Sequence, residues 1–313
     1  MIKLKDKLSN FLYNILKKND AESKFMLGSI YFNEAKKNYN SVKNLDETNY
    51  KVFSQTGEDG IINFLFYKLK ISNCRFVEIG VGDYSEANTR FIYEGSFSKG
   101  LIIDVEKDFI KKVSKNINLW KGLINLENLK IDKENINTIL KKYQLDEKLD
   151  LFSIDIDGND YWIIEQLNKK MSKIFVLEYN PTFGDKLAIT VPYDKNFSRF
   201  KGHYSGCYYG ASLKAMKNIM EAKGYVFIGT NNYNFNAFFV LEEYSEHFKE
   251  ITSNIKNLSE YTSLKIRDSR DKYGNLNFLN QNQRLKLIAD KEIIDVSSSE
   301  NKKYTIKELL EDI

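Results

Sequence analysis

A doubly wound α/β fold, an open and mostly parallel sheet with helices on both faces, is what this 313-residue sequence predicts. Three observations predict it. Short apolar runs, each ended by a polar or acidic residue, recur at 75–80, 100–106, 126–131, 149–157 and 173–180 with helical segments between them. Unbroken apolar runs of this kind are strands buried on both faces. The first, Arg75-Phe-Val-Glu-Ile-Gly-Val-Gly-Asp83, passes from strand to loop through an acidic residue and two glycines spaced one apart. Glycine has no Cβ, so backbone N–H groups and a carboxylate can approach a nucleotide-like ligand closely there. One strand later, Gly100-Leu-Ile-Ile-Asp-Val-Glu106 carries a carboxylate at its carboxyl end, where doubly wound folds hold the ribose of adenosine. The pair, about one βαβ unit apart, points to an adenosine-containing cofactor.

The flanking elements follow in order. Residues 1–49 read as a helical N-terminal extension in two pieces, the second over Phe25–Tyr39. Lysines around Phe11-Leu-Tyr-Asn-Ile-Leu16 fit an amphipathic helix packed on the body, on a partner or on a membrane surface, and fit a signal peptide poorly. Phe53-Ser-Gln-Thr-Gly-Glu-Asp-Gly60 is a loop that opens the apolar helix Ile61–Leu69. Its carboxylates suit the start of a helix, and capping alone explains them equally well. The main domain spans 50–245, and 246–313 read as a C-terminal extension packed on it, shaping the substrate mouth or a homodimer contact. Within that tail, Ile293–Val296 reads as a short strand, Ser297–Lys302 as an exposed loop and 305–312 as a last helix.

A helix over 211–223 stops at Gly224, a favourable residue just past a helix end. The strands Tyr225–Asn231 and Asn236–Glu242 follow, and Asn232-Tyr-Asn-Phe235 between them is too short for a crossover helix. They form an antiparallel hairpin. A nicotinamide-binding sheet stays parallel to its end, and Glu78-Ile-Gly-Val-Gly82 lacks the third glycine of that fingerprint. Five parallel strands closed by a hairpin are instead the Rossmann-like sheet of class I methyltransferases, whose cofactor is S-adenosylmethionine.

Composition narrows the partners. Hydrophobic residues make up 42% and aromatics 14%, enough for a sizeable core. With 47 basic and 43 acidic residues the net charge is only +4, and the lysines are scattered, so nucleic acid is not the expected partner. Two cysteines, Cys74 and Cys207, with no CxxC imply free thiols in a reducing, cytoplasmic setting. Two histidines and two cysteines make a zinc site a poor expectation. No apolar run reaches the roughly 18 residues of a membrane span.

Chemistry in such a sheet is expected outside the carboxyl ends of its strands. The fourth run ends Leu151-Phe-Ser-Ile-Asp-Ile-Asp-Gly-Asn-Asp160, and on an extended chain Asp155 and Asp157 point to one face. The fifth ends Val176-Leu-Glu-Tyr-Asn-Pro181, which brings Glu178 beside them. Three carboxylates at neighbouring tips suit Mg²⁺, which prefers oxygen ligands and acidifies a bound hydroxyl. They equally suit contacts to cofactor or substrate, or to loop backbone. His203, in the Gly- and Tyr-rich loop Phe200–Ser212, reads as a general base or as a plain hydrogen-bonded histidine. Tyr204, Tyr208 and Tyr209 offer a flat surface for a sugar or ring, or packing for a lid.

Several motifs together resemble the FkbM-like methyltransferases and a bacterial branch near them. They are Ser54-Gln-Thr-Gly-Glu-Asp59, Phe76-Val-Glu-Ile-Gly80, Glu86-Ala-Asn-Thr-Arg90, Gly100–Asp104, Ser153–Tyr161, Glu178-Tyr-Asn180, Tyr209–Leu213 and Asn236-Ala-Phe-Phe239. The resemblance implies S-adenosylmethionine as donor and O-methylation of a sugar or natural product, with a small-molecule or glycan acceptor from surface-polysaccharide biosynthesis. It implies that Glu78 and Gly80 line the methionine end, that Asp104 holds the ribose, and that Gln55, Asn88, Thr89 and Asp155 lie at the cofactor. From the residues themselves, Asp155, Glu178 and His203 are the expected reaction centre. Asp155 and Glu178 match strand tips that hold Mg²⁺ in some sugar O-methyltransferases, and Asp157 is the third expected ligand. Those enzymes carry two adjacent acids after the fifth strand, whereas Tyr179 and Asn180 follow Glu178 here, so Asn180 would have to supply an oxygen. Rival readings are the same fold methylating nitrogen or a carboxylate, a non-catalytic binding or scaffold subunit, and a nicotinamide-dependent sugar reductase.

Overall fold

The structure, a computed structural model, describes residues 20–311, so the Phe11–Leu16 stretch lies outside the described residues. Seven strands form one sheet: β1 (Arg75–Ile79), β2 (Lys99–Asp104), β3 (Leu123–Asn128), β4 (Leu149–Ile154), β5 (Ser172–Glu178), β7 (Tyr225–Thr230) and β8 (Asn236–Leu241). A further strand, β6 (Ile189–Thr190), lies outside it with β9 (Glu292–Asp295) and β10 (Lys302–Thr305). The large sheet runs β3-β2-β1-β4-β5-β8-β7. β1 to β5 pair in parallel, and β8 is antiparallel to both β5 and β7. This is the class I, Rossmann-like α/β fold with its terminal hairpin.

Alternation along the strands feeds two cores. Val77, Leu101, Phe152 and Phe175 face a layer with α5 (Ile136–Lys142), α6 (Asp160–Gln166) and α8 (Leu213–Ala222). Phe76, Ile102, Leu151 and Ile174 face the other layer, with α2 (Glu58–Leu69) and α4 (Phe109–Asn116). The inner strands β4, β5 and β8 are therefore buried along almost their whole length, because neither face of the sheet meets water there. α8 starts at Ser212, whose side chain accepts from Ala215 N, and stops at Gly224, whose φ of +88° closes the helix.

Some boundaries differ from the sequence expectation. β3 begins and ends three residues earlier than 126–131 because Leu123 pairs with Lys99. It is an edge strand of half-exposed residues, so no clean apolar run marks it. β4 stops at Ile154 rather than 157; Asp155 and Asp157 lie in the loop, and Asp157 turns the chain at φ +53°. In the tail, β9 joins β6 and β10 in a second sheet, and Lys302, expected in a loop, starts β10. At the other end a helix, α1, described from residue 20, runs to residue 35 and tightens into a 3₁₀ turn over Lys36–Asn38. Among the described residues no helix is long and apolar enough to cross a membrane.

Candidate functional site

At the carboxyl edge of the sheet three hollows meet, and Asp155 lines all of them. The largest, about 840 Å³, runs past Gly80, Gly82, Asp104, Ile131 and Phe200. A second, about 280 Å³, is walled by Gln55, Glu78, Gly80, Asn88 and Asn236. The third, about 240 Å³, holds Asp157, Glu178, Arg199, Tyr209 and Asp268. Comparable hollows beside α1 have largely apolar walls and no such convergence of charged groups.

The glycine turn is built by close backbone approach. Gly80 sits at φ +86°, and a Cβ there would come within 1.6 Å of the Asp155 carbonyl oxygen. Gly80 N donates to Ile103 O at 2.9 Å and Asp155 N to Ile79 O at 3.0 Å, which stitches the ends of β1, β2 and β4 together. Asp104 accepts from Gly82 N and Glu106 N, both at 2.7 Å, so it braces the turn and faces the largest hollow.

Glu78 is buried, and its carboxylate accepts from Asn88 N, Thr89 N and the Thr89 hydroxyl. Burial pushes it up to about 7 despite these bonds. Asn88 reaches the hollow's wall and donates to Ser153 Oγ at 3.0 Å. Thr89 is fully buried, bonded to Glu78 and Tyr84. It supports the loop from behind rather than facing a ligand.

Ligand oxygens of Asp155, Asp157 and Glu178 lie within 4.8 Å of one another. They converge through the turn after β4, not through alternation along a strand. Burial first, and then the facing carboxylates, push Asp155 and Glu178 well above the ordinary carboxylate range. Glu178 Oε2 is buried and has no hydrogen-bond donor within the structure. A proton held between the two carboxyls, or a donor or cation brought by a ligand, is what such a pair requires. Asp160 is buried beneath, accepting from Ile156 N and Gly158 N at 3.0 Å. Asn180 is no further ligand: its amide nitrogen bonds Cys207 O and Tyr209 O, and its oxygen accepts from Thr182 N.

Arg199, from the single turn α7 (Arg199–Gly202), enters this acidic ground. It donates to Asp157 at 2.8 Å, to Asp268 at 2.9 Å and to Gly206 O at 2.7 Å, and lies 4.0 Å from the Tyr209 ring centroid. Burial opposes its charge, but Tyr209, Asp157, Glu178 and Asp268 outweigh that and hold the guanidinium protonated. Asp268 also accepts from Arg284 at 3.0 Å, and Arg284 is 2% exposed. The sequence reading missed Arg199, Asp268 and Arg284. They sit in polar stretches without motif or periodicity, and only the fold brings them together.

His203 is not brought to the carboxylates. It ends α7, shares a 2.7 Å hydrogen bond with Ser205 Oγ and stacks on Tyr204. It lines none of the three hollows around Asp155, and burial and then Lys291 hold its pKa below the usual value. The tyrosines separate likewise. Tyr208 packs beneath the second sheet with its hydroxyl on Glu292 O, and Tyr209 alone of the three walls the acidic hollow.

No protein-family model matches the chain, and no curated protein does. Among solved structures it is similar to the N-terminal domain of EvdMO1 with SAH (S-adenosylhomocysteine) bound, at 8% identity over 60% of this chain and 80% of that one, with a TM-score of 0.37. A SAM-dependent methyltransferase from Aquifex aeolicus matches at 14% identity over 54% of this chain and 81% of its own, TM-score 0.31. A putative RNA methyltransferase from Pyrococcus horikoshii matches at 12% identity over 67% and 96%, TM-score 0.36. Likenesses this distant say nothing of an acceptor.

Proposed function

We propose that this chain is an S-adenosylmethionine-dependent methyltransferase of the FkbM-like kind that O-methylates a sugar hydroxyl, on a surface-glycan or nucleotide-sugar precursor. The observation that carries the reading is the meeting of three hollows at Asp155. The largest, bordered by Asp104, has room for an adenosine; the one at Gly80 suits the methionine portion; the acidic one takes the acceptor. Their common wall is where a methyl group would pass from sulfur to oxygen. Asp155 and Glu178 would take the proton of the acceptor hydroxyl, and the sulfonium cofactor, when bound, would supply the methyl group to the freed oxygen. The raised pKa values of the pair bring its basicity closer to that of the hydroxyl it must deprotonate. Residues 246–313 serve as an extension that completes the site, since Asp268 fixes Arg199 and Arg284 at its rim.

The carboxylate trio also fits a hard divalent cation such as Mg²⁺: three oxygens lie within 4.8 Å, and Glu178 carries a bare oxygen. Asp155, Asp157 and Glu178 would hold it, and it would supply binding and acidification of a sugar diol. Asp157 spends one oxygen on Arg199, which limits what it can give. A carboxylate acceptor is disfavoured by charge, because Arg199 and Arg284 are already paired with Asp157 and Asp268.

Calorimetric titration with S-adenosylhomocysteine, with and without Mg²⁺, tests the assignment. Micromolar binding to the wild type, weakened in Asp104→Ala and without matching NAD affinity, is the expected result. No binding under either condition would sink it.

A further inference from the structure

Asn236 and Glu178 are register partners on the antiparallel strands β8 and β5, so their side chains stand side by side at the sheet's carboxyl edge. Both are buried, at 3% and 6% exposure, and each leaves one oxygen without a donor among the described residues: Asn236 Oδ1 and Glu178 Oε2. Asn236 walls the hollow it shares with Gly80, Asn88 and Asp155. An acceptor left bare in a buried position costs stability unless water or a ligand entering the hollow supplies the donor.

The orientation of the Asn236 amide is fixed from behind. Its nitrogen donates to Glu58 Oε1 at 3.0 Å. Glu58 also accepts from Thr56 N, the Thr56 hydroxyl, Gly57 N and Asn231 Nδ2 at 2.7–3.0 Å, a set of donors that suits only an ionised carboxylate. Burial works against that charge, but the bonds from Asn236 and Thr56 outweigh it and hold Glu58 below the usual range. An ionised carboxylate cannot donate, so the amide cannot flip, and its oxygen is the atom left over. Asn231 locks the backbone too, accepting from Phe235 N and Asn236 N.

Across the same hollow, Glu78 stands two residues before Gly80, yet its carboxylate is engaged by Asn88 and Thr89. A cationic donor entering beside Gly80 must find its acceptors elsewhere, and the bare amide oxygen and Asp155 are on that wall. We propose that Asn236, aligned by Glu58, is a positioning residue that accepts a hydrogen bond from the α-ammonium of the cofactor's methionyl group. This rests on the methyltransferase reading above.

The test compares S-adenosylhomocysteine with its analogue lacking the α-amino group, titrated into wild type, Asn236→Ala and Asn236→Ser. A charge-assisted hydrogen bond predicts that the wild type prefers the amino ligand by about 10- to 100-fold. Both variants should shrink that preference to about threefold or less while affinity for the desamino ligand changes little. Equal affinity of the wild type for the two ligands overturns the inference, even if neither variant folds. So does an undiminished preference in either variant, and both results leave the methyltransferase reading intact. Failure of the wild type to bind S-adenosylhomocysteine removes that reading and this inference with it.

Discussion

Glu78 and Glu178 end two strands of one sheet, and both are buried, but their surroundings differ in kind. Glu78 accepts from two backbone N–H groups and a hydroxyl, so its charge is spread into the loop it holds. Glu178 faces Asp155 and leaves one oxygen with no donor among the described residues. Burial alone therefore does not mark a reactive group. A satisfied buried carboxylate is a structural pin, whereas an unsatisfied one stores a need that a ligand meets.

Glu178→Gln breaks the comparison most sharply. It keeps the side chain's shape and removes a buried charge facing another carboxylate. Methyl transfer should fall by about 10²- to 10⁴-fold, while the melting temperature holds or rises. Glu78→Ala should do the reverse, losing about 3–4 kcal/mol of unfolding free energy by releasing the Asn88–Thr89 loop. A chemical-denaturation series on both variants reads this directly. Equal destabilisation by the two substitutions would erase the distinction.

Proton linkage sharpens the contrast. Burial raises Glu78 from an ordinary 4.5 to about 7, and Asp59 and Asp160 from 3.8 to about 6. Each holds its proton more tightly folded than unfolded, so its contribution to stability is complete below its unfolded value. That contribution is lost as pH rises through the folded value. Between pH 4.5 and 7 Glu78 accounts for a decline on the order of 3 kcal/mol. Turnover should move oppositely, rising with pH as Asp155 and Glu178, both raised by burial and by their facing carboxylates, ionise. Denaturation and rate profiles over pH 4.5–8 that ran in parallel would count against assigning the two glutamates different work.

The glycine half of the site was legible because Glu78, Gly80 and Asp104 sit on one strand–loop–strand unit, where local pattern and chemistry coincide. Asp155 and Glu178 were legible as polar ends of apolar runs. Their companions were not. Asp268 pairs with Arg199 across 69 positions of sequence, and the segment around it has no periodicity to announce a contact. His203 drew attention by residue type alone, yet α7 points Arg199, not His203, at the carboxylates. Asn236 opens the Asn236–Phe239 motif, which alone gives it no role, because only the cross-strand register sets it beside Glu178.

The smallest expected effect tests how the tail reaches the acidic half. Asp268 is 42% exposed and bridges Arg199 to the buried Arg284, so solvent screens the pairing. Asp268→Ala should cost only about 1 kcal/mol of global stability. Arg199 keeps Asp157 and Gly206 O, and Arg284 keeps Ile266 O and Leu279 O, so both side chains stay bonded while their link is cut. The consequence should be local. Amide exchange should quicken over residues 262–284 and the KM for the acceptor should rise, with affinity for S-adenosylhomocysteine unchanged because the glycine half is untouched. If exchange there stays at the wild-type rate, the tail is held by its other contacts, such as Gln281 on Pro181 O and Asn234 on Ser263 O, and Arg199 takes its position from Asp157 rather than from the extension.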